Sequence, residues 1–326
     1  MTIAQTPDLA ALETSAVEFA KGAGEIALRH FRTTLNVEYK AKGNTSPVTI
    51  ADKECEDYLR QQITKNYPTH AILGEEGENL AGSEDSPYVW VLDPIDGTAN
   101  FISGLPLFAV SVGLLHHGEP VAAAIWVPTS GYLQQGVFHA HRGGQAFFED
   151  TPVKVAPEPA PVRSRLVGLP SYFGGRLRFT GDLRQNHGEP RSLGSICVEL
   201  CLVSCGTLQY SFFNRPKVWD VAAGVLIVRQ AGGLTLVQPR RHSQWEPLNR
   251  FQSPSGGGTE LDRLRNWGMG VVVANPEMAW TVATNIQHRP NLMRPVAAAV
   301  SKAKQLSLFR NGHHDHEPPA QTEPRP

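Results

Sequence analysis

The residues Asp93-Pro94-Ile95-Asp96-Gly97-Thr98-Ala99-Asn100-Phe101 hold the densest chemistry in this chain of 326 residues. Two carboxylates lie three positions apart, just where the apolar run Tyr88 to Leu92 stops. Pro94 fixes its own φ and biases Asp93 toward an extended conformation, so the two acids can converge past a strand end. Paired carboxylates suit a hard cation such as Mg²⁺, which takes carboxylate oxygen at about 2.1 Å and keeps several waters. Gly97 lacks a Cβ, so backbone N–H groups there can approach an anion, and a helix beginning at this point would favour phosphate. Thr98 adds a hydroxyl. A cation pair beside a phosphate cradle suits phosphoryl transfer to water.

An Asx-rich turn capping a helix would account for Asp-x-x-Asp-Gly by itself. It does not account for two further acids. Gly74-Glu75-Glu76 follows the apolar pair Ile72-Leu73 and offers a carboxylate at another strand end. Trp219-Asp220 places an acid at the start of a predicted helix, where Ala222, Ala223 and Gly224 allow close packing.

The elements that must position these residues follow from periodicity. Leu9, Leu12, Ala16, Phe19, Ala20, Ala23 and Ala27 recur at helical spacing and predict an amphipathic helix over 8–31. The stretch Lys40 to Pro47 breaks it, and a second helix is expected over 48–66, with Pro68 just past its end. Tyr88 to Leu92 reads as a strand that Pro94 forbids from continuing. Strands over 108–115, 121–127 and 136–140, with turns at Gly118 and Gly131, suggest an antiparallel meander. Pro152, Pro157, Pro159 and Pro161 crowd one linker, the best candidate for a boundary. Beyond it, strands over 165–169, 208–213, 234–237 and 269–274 alternate with helices over 195–205, 219–230 and 276–286. The polar Gly/Ser/Pro stretch 239–258 reads as a loop. The expected division is 1–150, an N-terminal α+β half carrying most of the acids; 151–287, a C-terminal α/β half carrying Asp220; and 288–326, a disordered tail with one short helix over 296–306. The tail histidines His313, His314 and His316 read as solvated side chains rather than a metal site.

Composition removes other classes. Lys plus Arg is 30 against 31 for Asp plus Glu, so no excess of positive charge exists to hold a nucleic-acid backbone. No apolar run approaches the ~20 residues of a membrane helix. Residues 1–11 lack the basic and apolar regions of a secretory leader, so a cytoplasmic location is expected. Cys197, Cys201 and Cys205 repeat every four residues along one helix face and, with Cys55, read as small buried apolar side chains in a reduced compartment.

Three segments in this order, Gly74-Glu75-Glu76, Trp90-Val91-Leu92-Asp93-Pro94-Ile95-Asp96-Gly97-Thr98 and Trp219-Asp220-Val221-Ala222-Ala223-Gly224, resemble the signatures of the inositol monophosphatase family of Mg²⁺-dependent, lithium-sensitive phosphatases. The resemblance spans about residues 8–287. It implies an α/β fold, a layered α/β/α/β/α sandwich of the inositol monophosphatase and fructose-1,6-bisphosphatase type, usually as a homodimer. It implies one Mg²⁺ on Glu75, Asp93 and the Ile95 carbonyl, and a second on Asp93, Asp96 and Asp220, with Glu75 also helping to hold a weaker third. Glu75 and Thr98 would position the attacking water, with Asp52 bonded to Thr98. The Gly97 and Thr98 amides would hold the phosphate of a small-molecule monoester, and Gly194, Ser195 and Ile196 would form the substrate-side loop. No side-chain nucleophile and no phosphoenzyme are implied.

One position departs from that pattern. Inositol-processing members carry an acid seven residues before the Asp220 position, where it bonds substrate hydroxyls; this chain has Phe213. Arg191, Asn214, Arg215 and Lys217 are the polar candidates to face the leaving group instead. Histidinol phosphate, a nucleoside 3′-phosphate or a sugar bisphosphate are therefore alternative substrates, with a non-catalytic binding member as a further alternative.

Overall fold

The computed structural model describes residues 8–33, 37–39, 47–83, 86–129, 134–241, 243–252 and 259–289. The helix expected over 296–306, the tail histidines and the turn at Gly131 lie outside the described residues.

Helix α1 (Leu9–His30) begins with Asp8 accepting from the Ala10 amide. It buries Leu12, Ala16, Phe19, Ala20, Ala23 and Ala27 at the spacing the sequence predicts. Helix α2 is Ile50–Asn66. A seven-stranded sheet follows, with β1 (Ala71–Gly74), β2 (Tyr88–Asp96), β3 (Ala109–His116), β4 (Glu119–Val127), β5 (Gly136–His141), β6 (Ala146–Phe148) and β7 (Thr151–Pro152) in spatial order. β1 pairs parallel to β2, and every later pair is antiparallel. The short helix α3 (Thr98–Ile102) sits between β2 and β3.

The second sheet holds β8 (Leu166–Gly168), β9 (Glu189–Arg191), β10 (Tyr210–Asn214), β11 (Leu234–Gln238), β12 (Glu246–Pro247) and β13 (Gly270–Ala274), in the order β9-β8-β10-β13-β11-β12. Its helices are α4 (Ile196–Ser204), α5 (Val218–Gln230), α6 (Glu260–Arg265) and α7 (Pro276–Asn285).

The buried clusters define the layers. One joins α1 and α2 to a face of the first sheet through Trp90, Leu92, Val110, Val112 and Leu114. The opposite face presents Val89 and Val91 to α4 and α5, which the second sheet covers in turn through Val271 and Val273. The far face of that sheet packs Val272 and Ala274 on α7. The layered α/β/α/β/α sandwich expected from the sequence is therefore the observed fold. Strand β2 is buried on both faces, so its apolar residues run without polar alternation. Close packing of the middle layer needs small residues: a Cβ on Gly113 would lie 3.1 Å from the Ala223 nitrogen, and one on Gly224 would lie 2.4 Å from Leu200. The described residues up to 287 form one compact unit.

Three expectations are corrected. Strand β2 does not stop before Pro94 but runs to Asp96, because Pro94 sits in a bulge where no ladder hydrogen bond is asked of it. The proline-rich linker does not begin at Pro152, because Thr151–Pro152 pair with β6 as the edge strand β7 of the first sheet. The stretch 239–258 includes the two-residue strand β12. Cys55, Cys197 and Cys201 are buried, as expected, while Cys205 caps α4 half-exposed.

Candidate active site

Asp93 and Asp96 reach one face of the sheet by way of the bulge. Asp93 pairs with Ser111 and Asp96 with Ala109, so three steps on β2 oppose two on β3. In a regular strand an odd separation would send the two carboxylates to opposite faces. The extra residue returns Asp96 to the side of Asp93, toward the middle helices. Asp220 arrives from the opposite direction, in the first turn of α5, where its Oδ2 accepts from the Lys217 amide at 2.7 Å. Asp93, Asp96 and Asp220 each place a carboxylate oxygen within 4.8 Å of the other two.

This crowding is electrostatically unfavourable without a counter-charge. Burial first, then Glu75, Asp96 and Asp220, push the Asp93 carboxyl well above its ordinary range. Burial also raises Asp220, with Asp96 adding to it. Asp96 is raised to about 6 by burial, even though its Oδ2 accepts from the Ser195 hydroxyl at 2.5 Å and the Cys197 amide at 2.6 Å. Asp93 Oδ1 is buried with no hydrogen-bond partner among the described residues. An orphaned carboxylate oxygen at the focus of three acids fits a hard divalent cation, which binds oxygen ligands and cancels the repulsion. The donor set suits Mg²⁺ chemically.

Glu75 follows the last residue of β1, half-buried, with its amide donating to Leu92 at 3.2 Å. Its charge acts on Asp52, Asp93, Asp96 and Asp220. Asp52 lies in the first turn of α2, where Oδ2 accepts from the Thr49 amide at 2.7 Å and the Thr49 hydroxyl at 2.5 Å. Its Oδ1 faces the Thr98 hydroxyl at 3.5 Å, and that hydroxyl also lies 3.1 Å from the Ile95 carbonyl. Gly97 caps α3 at φ 92°, a conformation that favours glycine, and a Cβ there would stand 3.0 Å from both Leu107 O and Ser195 Cβ.

On the substrate side, Gly194 has φ 77°, Ser195 caps α4 by accepting from the Val198 amide at 3.1 Å, and Ile196 begins the helix half-buried. The structure thus brings Asp93, Asp96, Asp220, Ser195 and Gly97 together. Arg191 stands apart: it is exposed on edge strand β9, and its Nη1 donates to the adjacent Pro190 carbonyl. Phe213 is buried in the core beside Trp219 and Val271, and Asn214 and Arg215 are exposed. Lys217 stands 6.0 Å above the Trp219 ring.

Asn100 is a site residue that sequence reasoning missed. Its Nδ2 donates to Leu107 O and Leu193 O, both at 2.7 Å, tying α3 to the loop before α4. Its only signal was its place inside the acidic segment.

The sequence profile of the inositol monophosphatase family matches residues 8–250. An inositol-1-monophosphatase of Rhizobium meliloti is 35% identical over 217 residues, which is 65% of this chain and 79% of that protein. A protein named Nus factor SuhB in Xylella fastidiosa is 34% identical over 67% of this chain and 78% of its own length. Among solved structures, the extragenic suppressor protein suhB of Bartonella henselae superposes with a TM-score of 0.65 at 25% identity, over 84% of this chain and 97% of that one. The inositol monophosphatase of Thermotoga maritima does so with a TM-score of 0.63 at 25% identity, over 84% and 95%.

Proposed function

The chain belongs to the inositol monophosphatase family, and from that premise we propose that it is a Mg²⁺-dependent phosphomonoesterase that hydrolyses a small-molecule phosphate monoester by direct attack of water. The observation that carries this reading is the meeting of Asp93, Asp96 and Asp220, drawn from both halves of the fold, around an unpartnered Asp93 oxygen. In this reading Glu75, Asp93 and the Ile95 carbonyl hold one cation, and Asp93, Asp96 and Asp220 hold a second. When bound, the cations neutralise the acids, attract the dianionic phosphate and make the attacking water acidic enough to ionise near pH 7.

The chain's own groups do the positioning. The single Thr98 hydroxyl proton is shared between the Ile95 carbonyl and Asp52. Turned toward Asp52, it leaves the Thr98 oxygen lone pairs to accept from the attacking water, which Glu75 orients from the other side. The Gly97 and Thr98 amides hold phosphate oxygens, and the missing Cβ at Gly97 lets Leu107 and Ser195 pack against that turn. Gly194, Ser195 and Ile196 line the leaving-group side, and Arg191, which stands apart from them, would reach the substrate only by swinging away from Pro190. No side chain serves as nucleophile, so no covalent intermediate forms.

The burial of Phe213 in the core favours a second reading of the substrate. A phenyl ring cannot accept from inositol hydroxyls, so histidinol phosphate, a nucleoside 3′-phosphate or a sugar bisphosphate competes with inositol phosphate as the leaving-group class. Relatives named Nus factor SuhB motivate a binding role without catalysis, but every acid the chemistry needs is present. Among the described residues no helix is long and apolar enough to cross a membrane. A cytoplasmic homodimer is part of the proposal.

Phosphate release from a panel of sugar, polyol and nucleoside phosphates, with Mg²⁺ and with EDTA, tests it. Mg²⁺-dependent release from at least one monoester is expected. A folded protein that binds the panel but releases no phosphate would move the assignment to the binding role.

A further inference from the structure

The turn that carries Glu75 is gripped from two sides by side chains far apart in sequence. On one side stands Glu56 of α2, 2% exposed. Its Oε2 accepts from the Glu76 amide at 2.8 Å, and its Oε1 accepts from the Gly77 amide at 2.7 Å and from Arg60 Nε at 2.8 Å. On the other side stands Arg265, the last residue of α6. Its Nη2 donates to the carbonyls of Gly74 at 2.8 Å and Gly77 at 3.1 Å and to Asn79 Oδ1 at 2.7 Å, while Nε donates to Asn79 Oδ1 at 3.0 Å. Gly77 is therefore held through both its N–H and its C=O. A Cβ on Gly74 or Gly77 would lie 2.2 or 2.6 Å from Glu56 Oε1, so the two glycines are what lets the carboxylate close on the turn.

The guanidinium has a second task. Its central carbon lies 5.5 Å from the Trp219 ring centroid, and Trp219 immediately precedes Asp220. A planar, permanently charged fork can hydrogen-bond in its plane and stack on an aromatic face at the same time. One side chain thus ties the Glu75 turn of the first sheet to the start of α5. The helix that delivers it is itself anchored: Thr259 and Asp262 cap its start reciprocally, and Leu264 and Trp267 are buried beside it.

We propose that Arg265, opposed by Glu56, is a positioning residue that fixes the Glu75 turn relative to Asp220 and thereby sets the affinity of the site for divalent cations. This rests on the reading of Glu75 and Asp220 as metal ligands. Side chains that hold ligands in place typically govern metal affinity by 10–100-fold. The Arg265 contacts predict an effect on cation binding that leaves turnover at saturating cation nearly intact.

The test uses the full chain stripped with EDTA. Mn²⁺ binding is followed by loss of the free ion's paramagnetic resonance signal, and kcat is measured separately at saturating Mg²⁺. Arg265→Gln should weaken Mn²⁺ binding by about 10-fold or more, with kcat within about threefold of the parent. Arg265→Lys, which keeps the charge and one donor but not the fork, should recover part of that loss. Asn79→Ala removes one acceptor from an accessible turn and should weaken binding by a smaller factor. It serves where Arg265→Gln does not fold. Binding within twofold of the parent in folded Arg265→Gln, or in Asn79→Ala should the first not fold, overturns the inference. If the parent chain itself binds no Mn²⁺, the metal-ligand reading fails instead.

Discussion

Two buried acidic groups in this molecule have opposite surroundings. Asp93, Asp96 and Asp220 crowd together, and their carboxyls are raised even though the Lys217 charge eases Asp220. Glu13, on α1, lies between two imidazoles of β5: His139 Nδ1 at 2.6 Å and His141 Nδ1, which also bonds it. Burial works to raise Glu13, but hydrogen bonds from His139 and His141 outweigh it and hold the carboxyl below its ordinary range. Burial works to lower His139, but its bonds to Glu13 and to the Glu149 carbonyl, together with the two carboxylate charges, outweigh that and raise it. His139 Nε2 is also satisfied, by the Glu149 carbonyl at 2.9 Å. A buried carboxylate whose hydrogen-bond partners the fold itself supplies contributes stability. A cluster it leaves repelling itself is destabilising until something from outside completes it.

Substitution should separate the two most sharply. Asp93→Asn should lower phosphate release by about 10²–10³-fold, the scale of removing one preorganised electrostatic group. In EDTA the same variant should unfold at a higher temperature than the parent, because a buried, repelled charge is gone. Lower thermal stability of Asp93→Asn in EDTA would erase the distinction between the clusters.

Cation binding comes next in size. Mg²⁺ at 100 times its dissociation constant should stabilise the parent by about 2.7 kcal/mol. That increment, read from thermal or urea unfolding, should shrink in Asp93→Asn and persist in Glu13→Gln.

Glu13→Gln should show the converse. It replaces a charge-assisted pair and should cost about 1.5–3 kcal/mol of stability while kcat stays unchanged. Equal losses of activity in both variants would break the comparison.

The smallest effect is in the pH dependence of stability. Glu13 is lowered in the folded state, so its contribution is present above its unfolded pKa and is lost as pH falls through the folded value. His139 is raised, so its contribution is full below its unfolded pKa and is lost as pH rises through the folded value. The pair should therefore add most stability in the mildly acid range between the two ordinary pKa values. Urea unfolding of the parent and of Glu13→Gln should differ most there and converge on both sides.

Much of the site was legible because its acids fall in local segments whose residue types carry the chemistry. Asp93 and Asp96 were paired from spacing, Asp220 was noted only as an acid at a helix start and joined them through the family likeness, and the structure brings the three within 4.8 Å. The layered fold was legible only through the family likeness, because periodicity yields elements and not their stacking. Three features lay outside sequence reasoning for physical reasons. The bulge that turns Asp96 to the side of Asp93 depends on the partner register at Ser111 and Ala109, which no single strand encodes. Asn100 holds two carbonyls because loops far apart in the chain converge on it. Arg265 meets Gly74 across 191 positions of chain, and nothing in its neighbours signals that.

The most direct measurement is phosphate release as a function of Mg²⁺ concentration, in the parent and in Asp220→Asn. The parent should show no release in EDTA and saturable release with Mg²⁺. Asp220→Asn, which alters only the acid supplied by the second half of the fold, should need far more Mg²⁺ and release phosphate far more slowly. Release that persists in EDTA, or an Asp220→Asn curve that overlies the parent's, would contradict a cation site shared between the two halves.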